Sequence, residues 1–193
     1  MPVPIHVIDF EGNRKSGVSE WGVVSLNGQE ISKVQTRLCP PFFLPDEVPQ
    51  SCLDISQDVA YFLQLRRSGI FCAHSCHVED TLLRHYWASP GYVPSFTSNQ
   101  KVATWGPWLD TCALWGHMAP GLASYGLMDL IQSCSLQESL RREVALHCPP
   151  DRAHPHGALY DALAASLLLR FAMQLVPRRM LEDWILCSHP QEL

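Results

Sequence analysis

The sequence has few charges, no basic excess, no long apolar run and no internal repeat or low-complexity tract. Only 17% of its 193 residues are charged while 47% are hydrophobic, a balance that excludes a disordered chain and leaves ample material for a core. The 14 Lys and Arg against 19 Asp and Glu give a net charge of -5. That argues against a strongly basic binder whose affinity comes from phosphate neutralisation. No stretch approaches the roughly 18 uninterrupted apolar residues that a membrane helix needs. The opening Met1-Pro-Val-Pro-Ile5 lacks the basic start and apolar stretch of a secretory signal. The expectation is a soluble, cytoplasmic protein with no membrane partner, folded as a single domain over residues 1–193.

Cysteine is present in number, with eight residues at 39, 52, 72, 76, 112, 134, 148 and 187. They are scattered over a medium-sized chain, many inside apolar runs, so reduced thiols are expected and not a disulfide-stapled secreted scaffold.

Residues 3 to 10 alternate and then run apolar, the pattern of a strand buried on at least one face. Gly12 to Gly17 reads as a loop. The runs Trp21 to Leu26 and Glu30 to Leu38 flank Asn27-Gly28, a strong hairpin signal. Three antiparallel strands therefore open the chain. Cys39 to Pro49 is proline-rich and reads as a connector. Helical spacing appears at Val59, Phe62, Leu63 and Leu65, followed by a short buried strand over 69–73 and a second helix over about 78–87. Residues 88 to 107 read as loop, and Trp108 to Cys112 as another strand end. From Leu122 the spacing is mostly helical, interrupted by Cys148 to Pro155, and Ala158 to Leu175 is the clearest helix. Strands first, then helices with crossovers between, predict an α/β fold with a mixed sheet flanked by helices.

The polar residues that stand out are acidic. On a strand, residues i and i+2 share a face, so Asp9 and Glu11 would project together from the C-terminal end of the first strand. Hard divalent cations prefer oxygen ligands, and two of them about 3.5–4 Å apart can activate water and stabilise a leaving oxygen. An Asp-x-Glu pair alone reads more readily as a charged strand end, since such pairs are common there. A further acid and a histidine lie in His156-Gly-Ala-Leu-Tyr-Asp161-Ala.

The ordered set Asp9-Phe-Glu11, then Ala73-His74-Ser-Cys-His-Val-Glu79-Asp80-Thr-Leu-Leu83, then Trp108-Leu-Asp110-Thr, then His156 to Asp161 resembles the DEDDh branch of the DnaQ-like exonucleases. The resemblance runs from residue 5 to about 170. It implies the ribonuclease H-like fold, a five-stranded mixed sheet flanked by helices in a single domain. It also implies a metal-dependent 3′-to-5′ exonuclease that acts on single-stranded or 3′-ended DNA or RNA and releases nucleoside monophosphate. Asp9, Glu11, Glu79 and Asp161 would hold two Mg²⁺ or Mn²⁺ ions, with Asp9 bridging. His156 would be the general base, since an imidazole titrates near neutrality and can take a proton at physiological pH.

The second motif departs from the family pattern. Glu79 falls where the family has aspartate, five residues after His74, with Asp80 as the alternative one residue on. The register of Glu79 rests on Leu82 and Leu83 sharing its side of the helix. Ser75 replaces the usual asparagine, and Gly12-Asn13 replaces the threonines that often follow the first motif.

Other readings stand beside these. One is a binding module of the same fold that has lost its chemistry. Another is a zinc-stabilised interaction protein, with Cys72, His74, Cys76 and His77 as one half of a site and His147, Cys148 and His154 as the other. Tyr86, Trp87, Tyr92, Phe96, Trp105 and Trp108 could stack on unpaired bases or belong to the core. Asp110 reads as a strand end that caps the next segment. Arg14 and Lys15 could meet phosphate or sit in a solvated loop, and Arg178-Arg179 carries no signal.

Overall fold

The structure, a computed structural model, describes residues 3–13, 17–39, 51–86, 88–96, 100–176 and 183–185. Most of the proline-rich connector, together with Arg14, Lys15, Trp87, Arg178 and Arg179, lies outside the described residues.

Strands β1 (Ile5–Asn13), β2 (Gly17–Asn27) and β3 (Glu30–Leu38) form an antiparallel meander. The chain then passes through helix α1 (Ser51–Ser68) to β4 (Ile70–Ala73), which runs parallel to β1. Helix α2 (His77–Tyr86) and a small ladder of β5 (Val93–Pro94) with β6 (Lys101–Val102) lead to β7 (Trp108–Asp110), parallel to β4. Helices α3 (Thr111–Met118), α4 (Leu127–Ser133) and α5 (Gln137–His147) follow, then a 3₁₀ turn (Pro150–Arg152) and α6 (Ala158–Leu175). The sheet order is β3-β2-β1-β4-β7. This is the mixed five-stranded, helix-flanked sheet of the ribonuclease H-like fold.

Several boundaries differ from the sequence reading. Gly12, Asn13 and Gly17, read as loop, belong to the strands, since Gly12 pairs with Val18 and Asn13 with Gly17. The helix read around Val59 to Leu65 extends over 18 residues. The stretch 88–107 contains the β5/β6 ladder. The strand read over Trp108 to Cys112 stops at Asp110, whose carboxylate accepts the Cys112 and Ala113 N–H groups and so starts α3, the capping role its position suggested.

The central strand explains where the cores sit. Ile5 to Ile8 are all buried, because β1 has neighbours on both edges and helices on both faces. Ile5 and Val7 join Val24, Ile70 and the inner faces of α4, α5 and α6 on one side of the sheet. Ile8 and Phe10 join Trp21, Phe62, Phe71, Leu82, Leu83 and Trp108 on the other. Helix α6 alone, among the described residues, is long and apolar enough to cross a membrane. Twelve of its residues are buried, ten of them in the first core, each large apolar side chain contributing about 1.5–3 kcal/mol.

Two polar side chains inside these layers, His6 and Arg66, have partners of their own. His6 is buried with Nδ1 on Ser25 Oγ (2.8 Å) and Nε2 on Ser68 Oγ (3.0 Å), and burial lowers its pKa to about 4, so it is neutral. Arg66, 1% exposed, donates to the carbonyls of Pro94 (3.0 Å) and Gly106 (2.8 Å). It thereby fastens the 88–107 segment to α1, and burial pulls its pKa down to about 10. Cys39, Cys72, Cys76, Cys112, Cys134 and Cys148 are thiols outside any disulfide.

Candidate metal centre

Strand parity sets the first two acids. Asp9 and Glu11 follow Ile5 and Val7 on the α6 side of β1, at the end where the ladder to β2 breaks into a bulge between Glu11 and Gly12. Opposite Asp9 in register stands Gly22. A Cβ on Gly22 would lie 2.5 Å from the Ala158 carbonyl group and Leu159 Cα. The missing side chain is therefore what lets the first turn of α6 sit on β2, and that turn carries Asp161. The sequence reading did not identify Gly22.

Asp161 accepts a hydrogen bond from the His156 backbone N–H (3.2 Å), which ties the histidine to the helix that follows. His156 has φ +65°, a left-handed conformation that costs a non-glycine residue roughly 1–2 kcal/mol. The surrounding contacts hold it there. Ligand atoms of Glu11, His156 and Asp161 all lie within 4.8 Å of one another, and among the described residues no other three His, Cys, Asp or Glu side chains gather this way.

Glu79 comes from the first turn of α2. It is 4% exposed, and its Oε2 has no hydrogen-bond partner. Burial raises its pKa to about 8, with the charges of Asp110 and Glu11 adding to the effect against a backbone hydrogen bond that lowers it. Asp80 faces elsewhere: it accepts from Trp108 Nε1 (2.9 Å) and pairs with Arg84 Nε (2.6 Å). Leu82 and Leu83 are buried under the helix as the register of Glu79 requires. The turn before α2 is organised by Asp110, which accepts from the N–H groups of Ser75 (3.0 Å) and Cys76 (2.9 Å). Ser75 has φ +65°, a conformation asparagine tolerates better than serine.

The acids raise one another. Asp9 is pushed well above the usual carboxylate range, first by burial, then by Glu79, Asp161, Glu11 and Glu20. Burial and Asp161 raise Glu11, with His156 opposing. Burial also raises Asp161, against the His156 backbone hydrogen bond. A cluster of half-buried carboxylates held at this cost, with an orphaned acceptor on Glu79, fits a hard divalent cation, because oxygen-only donors match Mg²⁺ or Mn²⁺.

The short-spaced cysteines and histidines do not form a second centre. Both ring nitrogens of His74 are engaged, with Thr111 Oγ1 and the Tyr125 carbonyl at 2.9 Å each. Cys72 and Cys76 are buried, burial holding both thiols protonated, and His77 is exposed. His147 instead lies 3.6 Å from Glu143. Of the aromatics, Trp105 and Trp108 are core and stack around Phe71, Phe96 lies under Arg66, and Tyr92 is 79% exposed.

No protein-family profile and no curated protein sequence matches the chain. Solved structures match it in shape. Exonuclease X, in complex with 5′-overhanging duplex DNA, aligns with a TM-score of 0.63 and 20% identity over 96% of this chain and 99% of that one. Exonuclease I from Methylocaldum szegediense aligns with a TM-score of 0.60 and 15% identity over 92% of this chain. Exonuclease I from E. coli, in complex with a dT13 oligonucleotide, aligns with a TM-score of 0.58 and 13% identity over the same share. The chain spans 42% of the length of these exonuclease I chains.

Proposed function

We propose that this protein is a divalent-metal-dependent 3′-to-5′ exonuclease that releases nucleoside monophosphates from single-stranded or 3′-ended DNA or RNA. The observation that carries the reading is the gathering of Glu11, His156 and Asp161 within 4.8 Å, with the buried Glu79, whose Oε2 has no hydrogen-bond partner, close enough for its charge to act on Asp9. The shared fold with nucleases, two of them bound to DNA in the structures compared, supports the substrate class.

Asp9, Glu11, Glu79 and Asp161 would hold Mg²⁺ or Mn²⁺, which supply Lewis-acid stabilisation of the phosphodiester and lower the pKa of water. His156 takes the proton of the attacking water on an imidazole nitrogen, the role its exposure and its position beside Glu11 and Asp161 allow. Asp161 fixes the His156 backbone and so aims the ring. A cleft of about 300 Å³ lined by Gly12, Asn13, His77, Val78, Thr81 and Leu82 opens between the end of β1 and the start of α2, next to Glu11 and Glu79 in the chain. Its lining is mainly apolar, with Val78 43% exposed, and it suits the face of a terminal base.

The reading is tested by incubating the protein with 3′- and 5′-labelled DNA and RNA, single- and double-stranded, with Mg²⁺, Mn²⁺ or EDTA. Stepwise shortening of 5′-labelled strands with immediate loss of 3′ label supports it. Binding without hydrolysis would instead indicate a nucleic-acid-binding module of the same fold.

A further inference from the structure

We propose that Glu20 and Arg152 act as positioning residues that hold the His156 loop in its working conformation; the role in catalysis rests on the nuclease reading above. Glu20 lies on β2 directly opposite Glu11 and is 7% exposed. Its Oε1 accepts from Thr36 Oγ1 on β3 (3.2 Å) and from Arg152 Nη1 (3.2 Å), a partner 132 residues away in the chain. Arg152 closes the 3₁₀ turn, and α6 begins at Ala158. The five residues between them include His154 and His156.

Both ends of that segment are therefore fastened to the same strand. Arg152 is held by Glu20, and Ala158 is pressed against the bare Cα of Gly22. Glu20 and Gly22 share a face and stand about 7 Å apart, two strand residues. Between these fixed points the loop closes on itself: Gly157 donates to the His154 carbonyl (3.1 Å), and the Arg152 carbonyl comes so near that a Cβ on Gly157 would meet it at 2.8 Å. His156 keeps its left-handed backbone inside this frame. Loss of the Arg152 attachment lets one end of the loop move while α6 and Asp161 stay in place on Gly22.

The pair has a second consequence. Glu20 is close enough for its charge to push Asp9 and Glu11 upward, and Arg152 pairs with it, so the fifth carboxylate near the centre already has a cation. Removing Arg152 strands Glu20 in a buried position with only Thr36 as partner. Removing the Glu20 charge leaves Arg152 with a partly exposed guanidinium, which water can satisfy. The two variants are therefore unequal in stability, with Arg152→Met the more damaging, although both release the loop.

The experiment compares wild type, Glu20→Leu, Arg152→Met, Arg152→Lys and the double variant Glu20→Leu/Arg152→Met. It reads kcat and KM on a 3′-labelled strand, Mn²⁺ affinity by calorimetry, and hydrogen exchange of residues 153–157 and of α6. Glu20→Leu and Arg152→Met should each lower kcat by about 10- to 100-fold, the scale for misplaced catalytic groups, with KM and Mn²⁺ affinity little changed. Exchange should quicken in 153–157 and not in α6, and Arg152→Lys should recover much of the rate. The double variant should regain thermal stability over Arg152→Met without regaining kcat. The clasp is overturned if Glu20→Leu keeps wild-type kcat and loop exchange, or if the rate merely follows melting temperature across the series. An inactive wild type with metal present would instead overturn the nuclease reading itself.

Discussion

Replacing Glu79 by Gln should make the metal-free protein more stable and the enzyme inactive. The side chain is 4% exposed and its Oε2 lacks a partner, so the folded state prefers the protonated acid. A carboxyl whose pKa stands at about 8 when folded, against an ordinary 4.5, keeps its proton while the unfolded chain has released it. Stability then falls as pH rises from about 4.5 to about 8. At about 1.36 kcal/mol for each tenfold in the proton equilibrium, the ceiling on this loss is about 5 kcal/mol. Relaxation and water entry around the ionised acid reduce it, and about 1–3 kcal/mol is the expected gain of Glu79→Gln at pH 8. At pH 5 the two proteins should be nearly equal, because Glu79 is then protonated in the folded state and the amide replaces a neutral acid.

The assay is unfolding of EDTA-treated wild type and Glu79→Gln at pH 5 and pH 8. The difference between the variants removes the effect of burial on Asp9, Glu11 and Asp161 and leaves Glu79 together with its repulsion of Asp9. A gain of 1–3 kcal/mol corresponds to several degrees in Tm for a protein of this size. Mn²⁺ should narrow or reverse the gap at pH 8 by binding the wild type preferentially. A Glu79→Gln protein that is no more stable than wild type at pH 8, or one that hydrolyses nucleic acid at the wild-type rate, refutes the reasoning.

Asp80→Asn should keep near wild-type activity, since Asp80 serves Trp108 and Arg84; it should cost about 1 kcal/mol in urea unfolding. His156→Ala should lower kcat by roughly 10²–10⁴-fold with Mn²⁺ affinity in calorimetry barely moved, whereas a collapse of metal affinity would make the imidazole a ligand. Gly22→Ala should destabilise by about 1–3 kcal/mol or more, because its Cβ meets immobile backbone at 2.5 Å, and it should lower activity by displacing the turn that carries Asp161.

The elements that were legible in the sequence are those whose signals are local. The alternation in β1, the Asn27-Gly28 hairpin and the apolar spacing of Ala158 to Leu175 each determine their element from within, and Gly28 takes the positive φ its turn demands. Helix α3 escaped because Thr111 to Met118 is apolar on nearly every side and has no helical stripe to read, although its cap, Asp110, was identifiable. The direction of α2 was legible from the spacing of Leu82 and Leu83, which are buried on the side of Glu79. Glu20 and Arg152 could not be joined from the chain alone, because their pairing depends on β2 and the 3₁₀ turn meeting across 132 residues. A charged residue inside the buried run of β2 was the available hint. Gly22 gave none, since only the closeness of Ala158 reveals why its side chain is missing.

The most direct test of the account is the release of nucleotide from a 3′-end-labelled single strand by wild type, Asp9→Asn and Asp161→Asn, with Mg²⁺ and with EDTA. The carboxylate centre predicts mononucleotide release by the wild type with Mg²⁺, none with EDTA, and none by either variant although both remain folded. Release that survives EDTA, or that either variant performs at the wild-type rate, contradicts it.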